Sequence, residues 1–462
     1  MVFSSVTFIY YFLPVVLLMY YLVPDKYKNL FFLLASLFFY TWGEFKYILL
    51  IIISIIANYF FGILFKNKKI TKKYILIFAC IFNIGLLGIF KYASFFINTI
   101  NNVFNMNIII PNIRLPLGIS FFTFQALSYI IDVYRGEVPV QTKITDLALY
   151  IVAFPQLIAG PIVRYNTVNE QIQCRSHTSE KFSEGIKRFL LGLGKKTLLA
   201  NPLAAVADAS FGAIGNLTLL SSWLGLIAYT FQIYYDFSGY SDMAIGLGKM
   251  FGFEYEENFN YPYISKSVTE FWRRWHISLG TWFRDYVYIP LGGSRVGKVK
   301  NIRNLFIVWF LTGMWHGASW NFVIWGLYFG VLIFIERASK DFREKIPSYI
   351  NMIVTFFLVM IGWVFFRAEN YYLAYFKVLF NIGNIDLIDA QSRINFHDNI
   401  VILIFSFILA TPLFKNLVNR LYKKLNKVLI DLIDTMFYIF ILLMSTIYLV
   451  NSTYNPFIYF RF

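Results

Sequence analysis

The chain is written as long apolar runs separated by short loops rich in lysine and arginine. A helix needs about 20 apolar residues to cross a ~30 Å hydrocarbon core, and runs of that length recur from residues 2–23 onward. In lipid every backbone N–H and C=O must be satisfied within the protein, so runs of this kind fold as helices. Composition agrees: 14% of the residues are charged and 58% are hydrophobic, where a soluble domain carries about a quarter charged. These features predict an all-α polytopic membrane protein. A length of 462 residues would allow two soluble domains. No linker, low-complexity segment or repeat interrupts the pattern, so 1–462 reads as a single integral membrane domain.

The formal net charge of +16 invites a nucleic-acid reading, but the basic residues sit in short clusters between apolar runs, as the positive-inside rule expects. No long basic face interleaved with polar residues is present, which excludes nucleic acid and leaves the lipid bilayer as partner. Cys80 and Cys174 form neither a disulfide framework nor a metal-ligand spacing, and no metal site is expected. The first run lacks a basic leader and a small-residue cleavage site, so it reads as a retained span.

Charge counting gives a topology. Spans are predicted near 3–23, 29–43, 47–65, 74–90 and 115–133, within a total of about eleven or twelve. The loop 66–73 carries five lysines and no acid, which marks it cytoplasmic and puts the N-terminus outside. Residues 415–427 carry five basic residues and no acid; one last span, near 433–450, then puts the C-terminus outside as well. Phe154-Pro155 and Gly160-Pro161 break another apolar run and predict a bent or re-entrant segment.

Two of the four histidines lie in the most unusual sequence: Phe271-Trp272-Arg273-Arg274-Trp275-His276 and Gly313-Met314-Trp315-His316-Gly317. Histidine titrates nearest neutrality and is the natural general base. An ionisable residue at bilayer depth is a functional hypothesis by default, although a histidine at a helix tip can also simply satisfy backbone groups. The apolar stretch 304–315 is only ~18 Å long as a helix, and basic loops flank the region 295–345 at both ends. That pattern predicts a re-entrant hairpin with His316 at its tip, near the midplane. Residues 268–288 alternate aromatic and charged side chains and read as an amphipathic helix at the cytoplasmic interface. There Arg273 and Arg274 could hold phosphate groups or anchor to lipid headgroups. Asp236 and Asp242 need buried partners, and ion pairs are the expected answer. His177 and His397 lie in polar connections and carry no assigned role.

Together, Pro116-Leu117-Gly118-Ile119-Ser120-Phe121-Phe122-Thr123-Phe124-Gln125, Tyr235-Asp236-Phe237-Ser238-Gly239-Tyr240-Ser241-Asp242, the segment 271–288 and Met314-Trp315-His316-Gly317 resemble the bacterial membrane-bound O-acyltransferase family. The continuation Ile289-Pro290-Leu291-Gly292-Gly293-Ser294 resembles its branch that acetylates exported, alginate-type polysaccharides. The D-alanyl-transfer branch for teichoic acids resembles it less at this point. The resemblance implies a helix-lined funnel and passage of an acyl group from a cytosolic thioester, here acetyl-CoA as co-substrate, toward an extracytoplasmic hydroxyl. It implies no tightly bound cofactor. His316 matches the family's presumed catalytic residue and His276 a second important position. Trp272, Arg273, Arg274, Trp275 and Trp315 become candidates for donor binding or tunnel lining. An SGNH-hydrolase-like partner and polysaccharide synthesis and export machinery are the implied associates. With His276 toward the cytosol and His316 at mid-membrane, a tunnel would have donor access near one and acceptor access near the other.

Four of the last six residues, 457–462, are aromatic, and burial of such side chains is worth ~1.5–3 kcal/mol each. The tail is therefore expected to dock, either as an interfacial anchor or over the outer mouth of the tunnel. Since the resembled branch tends to end in a similar motif, Tyr459 is a candidate acyl relay. A transporter or lipid flippase would predict internal pseudo-repeats, which the sequence lacks. A metal-dependent hydrolase would predict a His-x-x-x-His or carboxylate cluster. A purely structural scaffold for an export complex is the third alternative.

Overall fold

A computed structural model describes residues 1–452 except Ala159 and Asn384, together with 454–456. Among these residues all regular structure is helical, apart from an isolated antiparallel bridge between Phe259 and Trp275. Six helical stretches are long and apolar enough to cross a membrane: Asp25–Leu64, Lys72–Phe104, Trp320–Ala338, Ser348–Arg367, Ala390–Leu409 and Lys427–Asn451. The shorter apolar helix Thr7–Leu22 occupies the first expected span. The spans expected at 29–43 and 47–65 both fall within Asp25–Leu64. There Glu44 leaves helical dihedrals (φ −139°, ψ 57°) and a 3-10 turn, Phe45–Tyr47, separates two helices. The span expected at 115–133 is the 17-residue helix Ile119–Arg135, short of the ~20 residues that a full crossing needs. Length and composition therefore mark fewer spans than the pattern of apolar runs does.

The chain, expected to form one domain, gathers its contacts into two compact units interleaved in sequence: Met1–Phe189 with Tyr240–Glu256, and Leu190–Gly239 with Glu257–Phe462. The 32-residue helix Leu219–Met250 contributes to both.

In the first unit, polar and small side chains join the helices, because lipid offers no hydrophobic drive between them. Asn58 on Ile48–Leu64 and Asn83 on Lys72–Leu87 exchange amide hydrogen bonds of 3.0 and 2.8 Å in a buried setting. Gly185 and Gly246 let two backbones touch, since a Cβ on Gly185 would lie 2.7 Å from the Gly246 carbonyl oxygen. Beside them Arg188 pairs with the buried Asp242 at 2.6 Å. Gly118, in the 116–125 motif, takes a left-handed φ of 74° before the helix Ile119–Arg135, with no room for a Cβ against the Leu157 carbonyl.

The second unit is organised by a helical hairpin. Its arms, Lys298–His316 and Trp320–Ala338, have 19 residues each, or about 28 Å. The first arm is longer than the sequence suggested because the basic stretch 298–303 is itself helical and extends the apolar part. The arms meet backbone to backbone at two glycines: a Cβ on Gly313 would lie 2.4 Å from the Phe322 oxygen, and one on Gly326 2.3 Å from the Trp309 oxygen. The expected single amphipathic helix over 268–288 is instead broken into Val268–Arg274, Ile277–Phe283 and a π-helical turn, Arg284–Tyr288. The break has a hydrogen-bonding cause. The Asn260 N–H donates to the Arg274 carbonyl at 2.9 Å and the Ile277 N–H to the Asn258 carbonyl at 3.0 Å, pulling residues 275–276 out of the helix.

Candidate active site

The helix Val268–Arg274 is fixed by an acid from the second arm. Glu336, near the end of that arm, is buried. Its carboxylate accepts the Val268 and Thr269 backbone N–H groups at 2.8 and 2.9 Å, and it pairs with Arg343 at 3.2 Å. An anion at a helix N-terminus satisfies donors that have no partner inside the helix. From that anchor the chain runs along the hairpin toward its tip. The Trp272 ring meets Trp309, Trp325 and Phe329 at 4.9–5.4 Å, and four residues later, beyond the helix end, the chain reaches His276.

This path sets His276 beside the hairpin tip, with its ring 5.8 Å from that of Trp315. Trp315 in turn lies 5.0 Å from His316. The two histidines expected at opposite ends of a passage therefore share one aromatic neighbour. His316 ends the first arm, where Gly317 turns fully extended (φ −165°, ψ 152°) beneath the Phe322 ring. Trp325 and Phe366 meet the His316 ring edge to face at 4.9 and 5.3 Å. Phe237, from the Tyr-Asp-Phe-Ser motif, meets His276 in the same way at 4.6 Å. Both imidazoles are buried.

His276 carries two further marks. Its backbone is left-handed (φ 47°, ψ 54°), a conformation that costs a non-glycine residue of order 1 kcal/mol or more and clusters at functional sites. Its Nδ1 lies 3.2 Å from Asn258 Oδ1, which also accepts the Ser278 hydroxyl at 2.9 Å. Burial first, and the neighbouring His316 second, push the His276 imidazole well below the ordinary histidine pKa. The imidazole is thus neutral at physiological pH and able to accept a proton.

The remaining candidates divide. Trp315 is part of the pair's setting. Trp272 and Trp275 pack into an aromatic core, Trp275 against Phe259, Phe271 and Trp363 at 4.9–5.5 Å. Arg274 is held by Glu270 at 2.9 Å and by the Asn260 carbonyl, whereas Arg273 is exposed. Tyr459 lies outside the described residues. Just before it the tail is seated on polar groups of the second unit: the Tyr454 hydroxyl donates to Asp208 at 2.5 Å, Asn201 donates to Asn455 at 3.1 Å, and Lys196 donates to the Pro456 carbonyl. Lys196 also pairs with Asp236 at 2.5 Å, both side chains 2% exposed, as expected for a carboxylate in that motif. Sequence reasoning missed Asn258, Trp325 and Phe366. Asn258 stands 18 residues before His276 in an unremarked loop, and no local pattern points to it.

Comparison with known proteins gives the arrangement its context. Residues 137–375 match the membrane-bound O-acyltransferase family. The chain is 46% identical to the probable alginate O-acetylase AlgI of Pseudomonas aeruginosa, covering 83% of this chain and 75% of that protein. It is 36% identical to the peptidoglycan O-acetyltransferase of Helicobacter pylori, covering 80% and 77%. It is 30% identical to the teichoic acid D-alanyltransferase of Bacillus subtilis, covering 55% and 69%. The paired buried histidines thus belong to a multi-pass membrane acyltransferase, a member of the membrane-bound O-acyltransferase family.

Proposed function

We propose that the protein takes an acetyl group from a cytosolic thioester, acetyl-CoA, and passes it across the membrane for O-acetylation of an extracytoplasmic polysaccharide. In the transfer step a hydroxyl oxygen attacks the thioester carbonyl carbon and the C–S bond breaks. The hydroxyl proton goes to His316 and from there to the departing thiolate. The juxtaposition of His316 with His276 around Trp315 carries this reading, because a buried, aromatic-walled imidazole is a competent base held away from bulk water. Acetyl is favoured over D-alanyl because the O-acetylating relatives match at higher identity over more of the chain. No tightly bound cofactor is needed for this chemistry.

The same proposal places both termini outside the bacterial plasma membrane and the acceptor there with an SGNH-hydrolase-like partner and the polysaccharide synthesis and export machinery. Tyr459 is then a candidate relay for the acyl group, supported by the seating of residues 454–456 on Asp208, Asn201 and Lys196. Proteoliposomes holding the protein, with labelled acetyl-CoA inside and the partner plus an acceptor glycan outside, test the whole scheme. Release of free CoA with appearance of labelled glycan ester is expected. If acetyl-CoA is untouched while a D-alanyl thioester is consumed, the acyl assignment falls; if neither is consumed, the reaction does.

A further inference from the structure

Asn258 belongs to none of the motifs discussed above, yet its buried side chain faces three groups around His276. The Ser278 backbone N–H donates to Asn258 Oδ1 at 3.2 Å, the Ser278 hydroxyl donates to it at 2.9 Å, and His276 Nδ1 lies 3.2 Å from the same atom. A backbone N–H can only donate, so the amide must present its oxygen here, not its nitrogen. An amide oxygen carries no proton, and the Ser278 hydroxyl, 3.5 Å from Nδ1, already donates its hydrogen to Asn258 and can only accept; with both neighbours acceptors, the hydrogen of the contact with His276 resides on Nδ1. In the neutral imidazole the lone pair is then left on Nε2.

We propose that Asn258 is a positioning residue for acyl transfer: it locks His276 as the Nδ1–H tautomer, so that Nε2 serves as an acceptor and cannot donate to a developing oxyanion. The assignment rests on the reading that His276 belongs to the reacting centre. The backbone supports the same role. The Asn258 carbonyl accepts the Ile277 N–H at 3.0 Å, and the Phe259–Trp275 bridge follows directly. These bonds hold the residue between them in its left-handed conformation. Among the described residues, aromatic rings also meet the imidazole, Phe237 from the long helix and Trp315 from the hairpin. Among the described residues, His316 is a titratable side chain that acts on it.

Asn258→Leu and Asn258→Asp separate this role from packing. Leu removes the acceptor, and turnover should fall by ~10–100-fold in kcat with KM little changed. Asp keeps an acceptor and adds a negative charge, which raises the basicity of the imidazole. It should recover most of the activity and move the acid limb of kcat/KM to higher pH, since the neutral ring is the working form. Histidine-selective 15N NMR of the intact protein reads the tautomer directly, and the signal that vanishes in His276→Gln should show a protonated Nδ1. Equal impairment of both Asn258 variants with an unmoved pH profile would overturn the assignment. So would a wild-type His276 protonated on Nε2. Should Asn258→Leu fail to fold, Asn258→Asp and the wild-type spectrum carry the test. If His276→Gln keeps full turnover, the catalytic reading of His276 fails, and the tautomer signal then decides the Asn258 assignment by itself.

Discussion

The His276 and His316 rings flank one indole, that of Trp315, at 5.8 and 5.0 Å. Forty residues apart in sequence, they are brought together because a short helix, capped by Glu336, leads alongside the hairpin toward its tip. One aromatic environment therefore surrounds both side chains.

His316→Ala should abolish acyl transfer while leaving a folded, monodisperse protein. Loss of a general base costs ~10²–10⁴ in rate, and the ring's neighbours Trp325 and Phe366 still hold the hairpin tip through each other at 5.1 Å. CoA release by the purified variant is the measurement; near-native turnover would remove His316 from the mechanism.

The acid limb of kcat/KM should lie below the ordinary histidine pKa of about 6.5. His276 is held well below that value by burial and by His316. Its neutral form, and the stability tied to it, is present above about pH 6.5 and lost as pH falls through the folded-state pKa. Rates and detergent melts across the acid range check this, and a limb centred above pH ~7 contradicts it.

Asp236→Asn should destabilise the fold by ~3–5 kcal/mol, because it removes a carboxylate charge paired with the buried Lys196 ammonium. The double variant Lys196→Met, Asp236→Leu should recover much of that loss. Thermal unfolding in detergent compares them, and equal melting temperatures for wild type and Asp236→Asn would show the pair to be energetically idle.

Tyr459→Phe keeps the shape and apolar area of the tail but removes the hydroxyl. If Tyr459 relays the acyl group, this change stops glycan acylation and deletion of 457–462 does no worse. An active Tyr459→Phe beside a dead deletion would make the tail a docking segment that carries no acyl group.

Single cysteines at Lys69 and Lys424, in a background without Cys80 and Cys174, should be shielded from an impermeant thiol reagent in intact cells. A cysteine at Asn451 should label. Labelling at Lys424 but not at Asn451 would invert the C-terminal half.

Much of the site was legible. The Trp-His-Gly segment with its small residues marked a hairpin turn because glycines and an apolar flank leave few other ways to place a histidine in lipid, and Gly313 and Gly326 do bring the arms into contact. The buried carboxylates Asp236 and Asp242 announced ion pairs, since an uncompensated charge at that depth is too costly, and Lys196 and Arg188 supply them. The helix over 268–288 was misread. Its charged residues have an amphipathic spacing, but the competing acceptors and donors at Asn258 and Asn260 come from a loop that no local pattern announces.

The sequence by itself determined the solvent, the helical class and the identity of the two histidines, because hydropathy and residue type are local properties that lipid enforces one segment at a time. Only the tertiary structure decided that the histidines share Trp315 as a neighbour, that Asn258 lies against one of them and that Glu336 caps the helix between. Those are long-range pairings among buried polar groups. Their energy depends on finding a partner tens of residues away, and one sequence read along its length does not contain that distance.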